Sequence, residues 1–337
     1  MALLLEVLDL KAYFYLREGT VRAVDGVSFQ VGRGEIVGLA GESGCGKSVI
    51  TQCILRLLPP PGRIVQGALR FKGESLLHKT REEMRHIRGK QISIVVQDAL
   101  AALNPVITAG EQVVDAYRAH TKVSSKAAWQ RAIEFFRRVG ILNAGMMVRR
   151  YPHEFSGGMQ QRTVIAAALI CGPDLIIADE PTTSVDVTIQ LQVLALLREA
   201  RRDLGSGVLY ISHDLAASAQ ICDRVLIMYA GEIVEEGPTA RLFREPLHPY
   251  TQGLLASIPP LGGPGTRYLQ AIPGMPPNSL VPIAGCKFAE RCNRTMDVCR
   301  TVLPELQRIS PDRQVRCHLY AAPLSVATEG TRRDLAE

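Results

Sequence analysis

The sequence predicts an α/β fold with a largely parallel core sheet, and three observations carry that prediction. Short apolar runs recur along the chain, most of them followed by a helix-compatible segment, the alternation from which α/β folds are built. One of those runs ends in a glycine-rich turn, Gly41–Ser48, that opens directly into a helical segment. The composition is globular: of 337 residues, 47% are hydrophobic and 21% charged, which excludes wholesale disorder and fibrous folds. The length exceeds the ~100–150 residues of a typical domain, so one large domain with an appendage, or two domains, is expected.

Residues 4–10 and 22–31 alternate apolar and polar side chains, as half-buried strands do. Residues 35–40 form a short, mostly apolar run that reads as a buried parallel strand, and a helix-compatible run from Lys47 to Leu58 follows. Pro59-Pro60-Pro61-Gly62 stops that helix. Residues 92–96 are another buried strand, and residues 108–140 carry helical periodicity with interspersed charge. Residues 175–178 and 208–211 are further strands, each with a helical segment after it; residues 225–228 open one more, which Gly231 turns into another. Composition shifts near residue 245, where a Pro- and Gly-rich stretch begins that reads as a linker or irregular wrapping segment. Beyond about residue 322 the chain reads as a polar tail.

Charge and composition narrow the function. The net charge of +6 is mild, far from that of a basic nucleic-acid arm, and suits an anionic ligand or a membrane surface. Aromatics are 5% of residues, with Trp129 the lone tryptophan, so stacking on extended single strands is not the expected activity. The longest apolar stretch, Val164 to Cys171, falls short of the ~20 residues that span a bilayer. Ala2-Leu3-Leu4-Leu5 lacks a basic segment before it and meets Glu6 after it, so it reads as a strand start rather than a signal peptide. A cytoplasmic chain without disulfides is expected. Cys45, Cys53, Cys171 and Cys222 then read as small buried side chains.

Gly41-Glu42-Ser43-Gly44-Cys45-Gly46-Lys47-Ser48 fits G-x-x-x-x-G-K-[ST] between a strand and a helix. Glycines let successive N–H groups point at phosphate oxygens, and the helix N-terminus adds positive potential. Lys47 is expected to reach the β- and γ-phosphates and Ser48 to ligate Mg²⁺, with Val49 following in the helix. The strand Leu175–Ala178 runs into Asp179-Glu180, at the sheet edge where open α/β sheets bind ligands. Asp179 is expected to hold Mg²⁺ through water, and Glu180 to act on the attacking water as general base or orienting group.

Between these motifs lies Phe155-Ser156-Gly157-Gly158-Met159-Gln160-Gln161-Arg162, a Ser-capped helix start with exposed amides. The ordered set resembles the ATP-binding-cassette ATPases, over about residues 4–240. That resemblance implies a P-loop NTPase of the ABC type with a helical subdomain. It also implies that Ser156, Gly157, Gly158 and Met159 are the signature motif, and Gln97 the Q-loop residue that senses Mg²⁺ and water and contacts the membrane partner. Ser184-Val185-Asp186 matches the D-loop, His213 the switch histidine on the γ-phosphate, and Phe14 the aromatic that stacks on adenine, with Tyr13 or Tyr15 in its place if the register slips. In such proteins two nucleotides bind two cassettes head to tail, and hydrolysis releases them. Ala99 departs from the family's pattern, standing where a proline often follows Gln-Asp.

Residues 246–255 (Pro246-Leu247-His248-Pro249-Tyr250-Thr251, then Gly253-Leu254-Leu255) and Pro273-Gly274-Met275-Pro276-Pro277 resemble the tail of oligopeptide- and dipeptide-importer ATPases, much of which nickel importers share. The implied organisation is a nucleotide-binding domain at 1–245, with its helical subdomain at about 100–172. A small irregular extension at 246–321 and a tail at 322–337 follow. The implied function is the ATPase subunit of a peptide importer on the cytoplasmic face of the membrane. Its implied partners are a second ATPase subunit, two transmembrane permeases and an extracytoplasmic substrate-binding protein, with no nucleic acid. A nickel or other solute importer, a soluble cassette ATPase acting on nucleic acid or ribosomes, and a non-hydrolysing regulatory subunit are the alternatives. A single set of motifs without sustained heptads, and intact Lys47, Glu180 and His213, weigh against the last two.

Cys286, Cys292, Cys299 and Cys317 crowd together with spacings C-x₅-C-x₆-C and a further seventeen residues. Four thiolates suit a [4Fe–4S] cluster or tetrahedral zinc, and the resemblance favours the cluster. Residues 286–320 hold seven Lys/Arg against four acids, an excess that would offset a thiolate-bound metal. Free or disulfide-paired cysteines are the other reading.

Overall fold

The computed structural model describes residues 2–183, 186–258 and 271–321. The chain opens with the long antiparallel hairpin of strands β1 (Leu3–Leu16) and β2 (Gly19–Gly32), registered from Leu5↔Val31 to Leu16↔Gly19. Strand β3 (Ile36–Ala40) is buried at every residue and feeds helix α1 (Lys47–Ile54), which ends before Leu58. Strands β4 (Gly62–Phe71) and β5 (Glu74–Ser75) then complete a four-stranded antiparallel sheet of order β2-β1-β4-β5. Strand β4 escapes a reading by alternation because Gly67, at φ +107°, interrupts it where a Cβ would stand 2.6 Å from the Asp9 carbonyl.

Helix α2 (Arg81–Ile87) starts from a Thr80/Glu83 capping box and leads to strand β6 (Ile92–Val95). A helical block follows: α3 (Ala99–Ala102), α4 (Ala109–Arg118), α5 (Ser125–Arg138), α6 (Ala144–Met147) and α7 (Gly157–Leu169). The single periodic stretch expected over 108–140 divides in two because Ser124 caps a new helix, its hydroxyl accepting from Ala127 N at 3.3 Å. Val113, Val114, Ala128, Ala132, Phe135, Phe136 and Ile165 are buried together in this block.

Strand β7 (Leu175–Asp179), helix α8 (Val187–Leu204), strand β8 (Gly207–Ser212), helix α9 (Leu215–Ile221) and strand β9 (Arg224–Tyr229) build the parallel centre. Strand β10 (Glu232–Pro238) returns antiparallel, followed by α10 (Thr239–Arg244), α11 (Pro249–Ala256), α12 (Asp297–Thr301) and strands β11 (Gln307–Ser310) and β12 (Arg313–Val315). The main sheet runs β11-β12-β10-β9-β3-β8-β7-β6, with β9, β3, β8, β7 and β6 parallel. Its central strands are apolar at almost every position because both faces are covered. Ile36, Ile176, Val208, Tyr210, Val225 and Ile227 enter the core on the helical side, whereas Val37, Leu39, Ile177, Leu209, Leu226 and Met228 enter the one shared with the antiparallel sheet.

The C-terminal extension is less irregular than expected. Strand β12 pairs with β10 (Glu235↔Val315), and β11 pairs with β12. Arg313, with a side chain 4% exposed, donates to the fully buried Glu235 at 3.0 Å. Glu235 also accepts from the backbone of Leu247 and His248.

Candidate functional site

The glycine turn between β3 and α1 owes its shape to contacts that exclude side chains. A Cβ on Gly41 would meet the Met228 carbonyl at 2.2 Å, and one on Gly46 (φ +109°) would meet the Ala23 carbonyl at 2.1 Å. Gly44 (φ +80°) faces open space. Lys47, 5% exposed, donates from Nζ to the carbonyls of Gly41 (2.8 Å) and Glu42 (2.9 Å), with Cys45 Sγ 3.8 Å away. Burial pushes the Cys45 thiol up despite that ammonium. The loop and the first turn of α1 thus form a cationic cradle of backbone amides.

Two strand ends, those of β7 and β8, converge beside it. Ser48 Oγ donates to Asp179 Oδ1 at 3.3 Å. Burial raises the Asp179 pKa, the Ser48 bond and Lys47 opposing and Glu180 adding to the rise. Glu180 follows with its backbone in the left-handed region (φ +48°) and its N–H donating to Ile211 O on β8 at 2.9 Å. That turn aims its carboxylate at the end of β8, where Oε2 lies 3.2 Å from Nδ1 of the half-exposed His213. Thr183 Oγ1 donates to the same oxygen at 3.0 Å, a partner that sequence reasoning missed. A hydroxyl and a partly buried carboxylate are hard oxygen donors, and that chemistry fits Mg²⁺.

The remaining sequence-predicted residues lie further out. Gln97 is exposed, two residues beyond β6, and Asp98 caps α3 by accepting from Ala101 N at 3.0 Å. Ser156 caps α7, its hydroxyl accepting from Met159 N at 3.4 Å. Gly157 is exposed, and a Cβ on Gly158 would stand 2.6 Å from Ile189 Cδ1 on α8. Asp186 caps α8 through Ile189 N at 2.9 Å, and Ser184 and Val185 lie outside the described residues. Among the described residues, no hydrogen bond joins Ser156–Met159 to the Gly41–Ser48 loop. Tyr13 is committed to Asp25, donating to Oδ1 at 2.7 Å, with its pKa pushed up to about 12 mainly by burial. Phe14 is half-buried opposite Gly62, while Tyr15 is exposed beneath Arg63.

The metal expected at Cys286, Cys292, Cys299 and Cys317 is a correction. Among the described residues no group of three or more His, Cys, Asp or Glu side chains is disposed to hold a metal ion. Cys299 and Cys317 are buried, and Cys286 and Cys292 partly so against the helical-side core. Burial pushes the Cys286 thiol up to about 11 and also raises those of Cys292 and Cys317. They sit as packing side chains, two buried and two partly buried, rather than as a converging donor set, and the expectation of an iron–sulfur cluster, or of zinc in its place, is not supported.

The model of the ABC transporter family matches residues 24–183, and that of the oligopeptide/dipeptide transporter C-terminal region matches residues 234–299. A probable peptide ABC transporter ATP-binding protein of Sinorhizobium fredii is 45% identical over 94% of this chain and 94% of its own. The dipeptide transport ATP-binding protein DppD of Bacillus subtilis is 47% identical over 95% of each chain. Among solved structures, a dimeric ATP-binding cassette in a post-hydrolysis state with ADP and Pi superposes with a TM-score of 0.63 at 25% identity. That match covers 70% of this chain and 98% of the other.

Proposed function

This chain belongs to the ABC transporter ATPases, and on that premise we propose that it is the ATP-hydrolysing subunit of an importer that takes up di- or oligopeptides across the cytoplasmic membrane. The observation that carries the reading is the pairing, in one chain, of a cassette with the C-terminal region of oligopeptide and dipeptide transporters. Relatives matched nearly end to end support it through their names as peptide and dipeptide transport proteins.

The mechanism follows from the arrangement of groups. Gly41, Glu42, Ser43, Gly44, Cys45 and Gly46 offer their backbone to the phosphates of ATP, Lys47 neutralises the β- and γ-oxygens, and Val49 continues the helix beneath them. Ser48 and Asp179, with Gln97, would hold Mg²⁺, which spreads the charge of the transferring phosphoryl group. Glu180 orients or deprotonates the attacking water, and its 3.2 Å approach to His213 lets that imidazole fix the carboxylate and report on the γ-phosphate. Phe14 is our choice for the adenine platform, because the Tyr13 hydroxyl is already engaged with Asp25. Ser156, Gly157, Gly158 and Met159 complete the site of a second cassette, with Asp186 at the seam.

We read residues 1–245 as the nucleotide-binding domain, with a helical subdomain at about 100–172, residues 246–321 as the extension and 322–337 as a tail. No helix among the described residues is long and apolar enough to cross a membrane. A peripheral place on two permease subunits, fed by an extracytoplasmic binding protein, fits that observation. The test is uptake of a labelled dipeptide and a labelled oligopeptide by cells lacking this gene. Uptake should fall, return with the intact gene, and fail to return with Lys47→Ala. Undiminished uptake of both without the gene would overturn the reading.

A further inference from the structure

Among the described residues, the hydrogen bonds from the extension to the phosphate-binding loop converge on one residue. Glu42 is gripped from three sides: its N–H donates to Tyr250 Oη at 2.9 Å, and its carbonyl accepts from Lys47 Nζ at 2.9 Å. Its carboxylate receives both arms of Arg291, Nη1 to Oε2 at 2.7 Å and Nη2 to Oε1 at 2.9 Å. Tyr250 and Arg291 lie in the stretch matched by the transporter C-terminal region, whereas Glu42 and Lys47 lie in the cassette.

Both holding groups are themselves fixed. Tyr250 is fully buried, its ring 4.5 Å from Tyr229 and 5.4 Å from Phe288. Arg291 is 8% exposed, lies over the same two rings at 5.7 and 5.9 Å, and donates from Nε to Pro273 O at 3.0 Å. A planar bidentate pair fixes orientation as well as distance. The ammonium that must meet phosphate rests on the Gly41 and Glu42 carbonyls, so the placement of residue 42 determines where Lys47 Nζ stands.

We propose that Tyr250 and Arg291 are positioning residues of the nucleotide site: acting through Glu42, they hold the loop where its amides and Lys47 meet the phosphates, so that the extension governs ATP affinity. This rests on the ATPase reading above. The probe is MgATP, titrated into the full-length chain for Kd and turned over by the assembled transporter for KM and kcat. Tyr250→Phe removes one hydroxyl, Arg291→Lys keeps charge without the fork, and Arg291→Met removes both.

Each substitution should raise Kd and KM about 5- to 20-fold, the scale of one or two lost hydrogen bonds, with kcat within twofold. The urea midpoint of Tyr250→Phe should stay near wild type, which a staple serving stability alone would not give. Arg291→Met combined with Glu42→Gln should bind no more weakly than the worse single variant, because both act through one contact. Kd within twofold of wild type in Tyr250→Phe and Arg291→Lys overturns the proposal, as does full additivity in the double variant. Lys47→Ala serves as the control. If it abolishes binding while the Tyr250 and Arg291 variants are silent, the positioning role alone falls; if it binds MgATP normally, the ATPase reading falls with it.

Discussion

Gly46 shows how much of the site depends on a missing side chain. It combines φ +109° with a Cβ position 2.1 Å from the Ala23 carbonyl, so neither the torsion nor the space admits alanine. Gly46→Ala should displace the loop from α1, destabilise the fold by about 1–3 kcal/mol, and remove measurable MgATP binding. Denaturant midpoints and a binding titration check both, and unaltered MgATP affinity would contradict the steric account. The residues proposed to carry the chemistry, Lys47, Ser48, Asp179, Glu180 and His213, were picked out by the sequence because each sits at a fixed offset from a strand end, and the structure groups them beside the glycine loop. Thr183 on Glu180, and Tyr250 and Arg291 on Glu42, could not. Those contacts join positions up to 249 residues apart or depend on a single rotamer, and no local pattern encodes them. The cysteines misled for the complementary reason: spacing suggested a donor set, and burial has made them packing groups.

Among the elements, the parallel strands were legible because burial on both faces imposes continuous apolar runs. Strand β4 was hidden by its glycine bulge, and β11, at the sheet edge, and β12, beside it, by being short strands rich in polar side chains. Helix α11 offers a test of its own. Its cap, His248, accepts from Tyr250 N at 3.0 Å and is 1% exposed beside Phe288, with Glu235 engaged by Arg313 and the His248 N–H. Burial lowers its pKa from 6.5 to about 3. The folded chain therefore holds a neutral imidazole that the unfolded chain protonates. This contribution is intact above pH 6.5 and is lost as pH falls toward 3, with a limiting slope of ~1.4 kcal/mol per pH unit. His248→Asn keeps a capping acceptor and removes the titration. It should lower stability by a roughly constant amount while flattening the decline between pH 6.5 and 4.5, as followed by urea midpoints. Parallel declines in the two proteins would show that His248 does not carry the acid sensitivity.

At the scale of the molecule, the chain presents two anion-binding ends that it does not itself bring together. The loop after β3 carries the cationic cradle, and the Ser156-capped start of α7 carries free amides with an exposed Gly157. Among the described residues no hydrogen bond spans the two. A triphosphate held in the first therefore has its outer side open to the second on another copy, which is the head-to-tail assembly proposed above. In that proposal the closed pair lasts only while the γ-phosphate remains, and its lifetime would be set by Glu180. Glu180→Gln keeps the shape of the side chain and its reach toward His213 and Thr183 but removes the charge that activates water. Turnover should fall by about 10²-fold or more, and MgATP should then shift the chain from monomer to a lasting dimer in light scattering, whereas wild type should return to monomer as ATP is consumed. Normal turnover by the variant would remove Glu180 from its role. A variant that binds MgATP without turning it over, yet stays monomeric at saturating nucleotide with its partners present, would mean that the two ends do not share a phosphate.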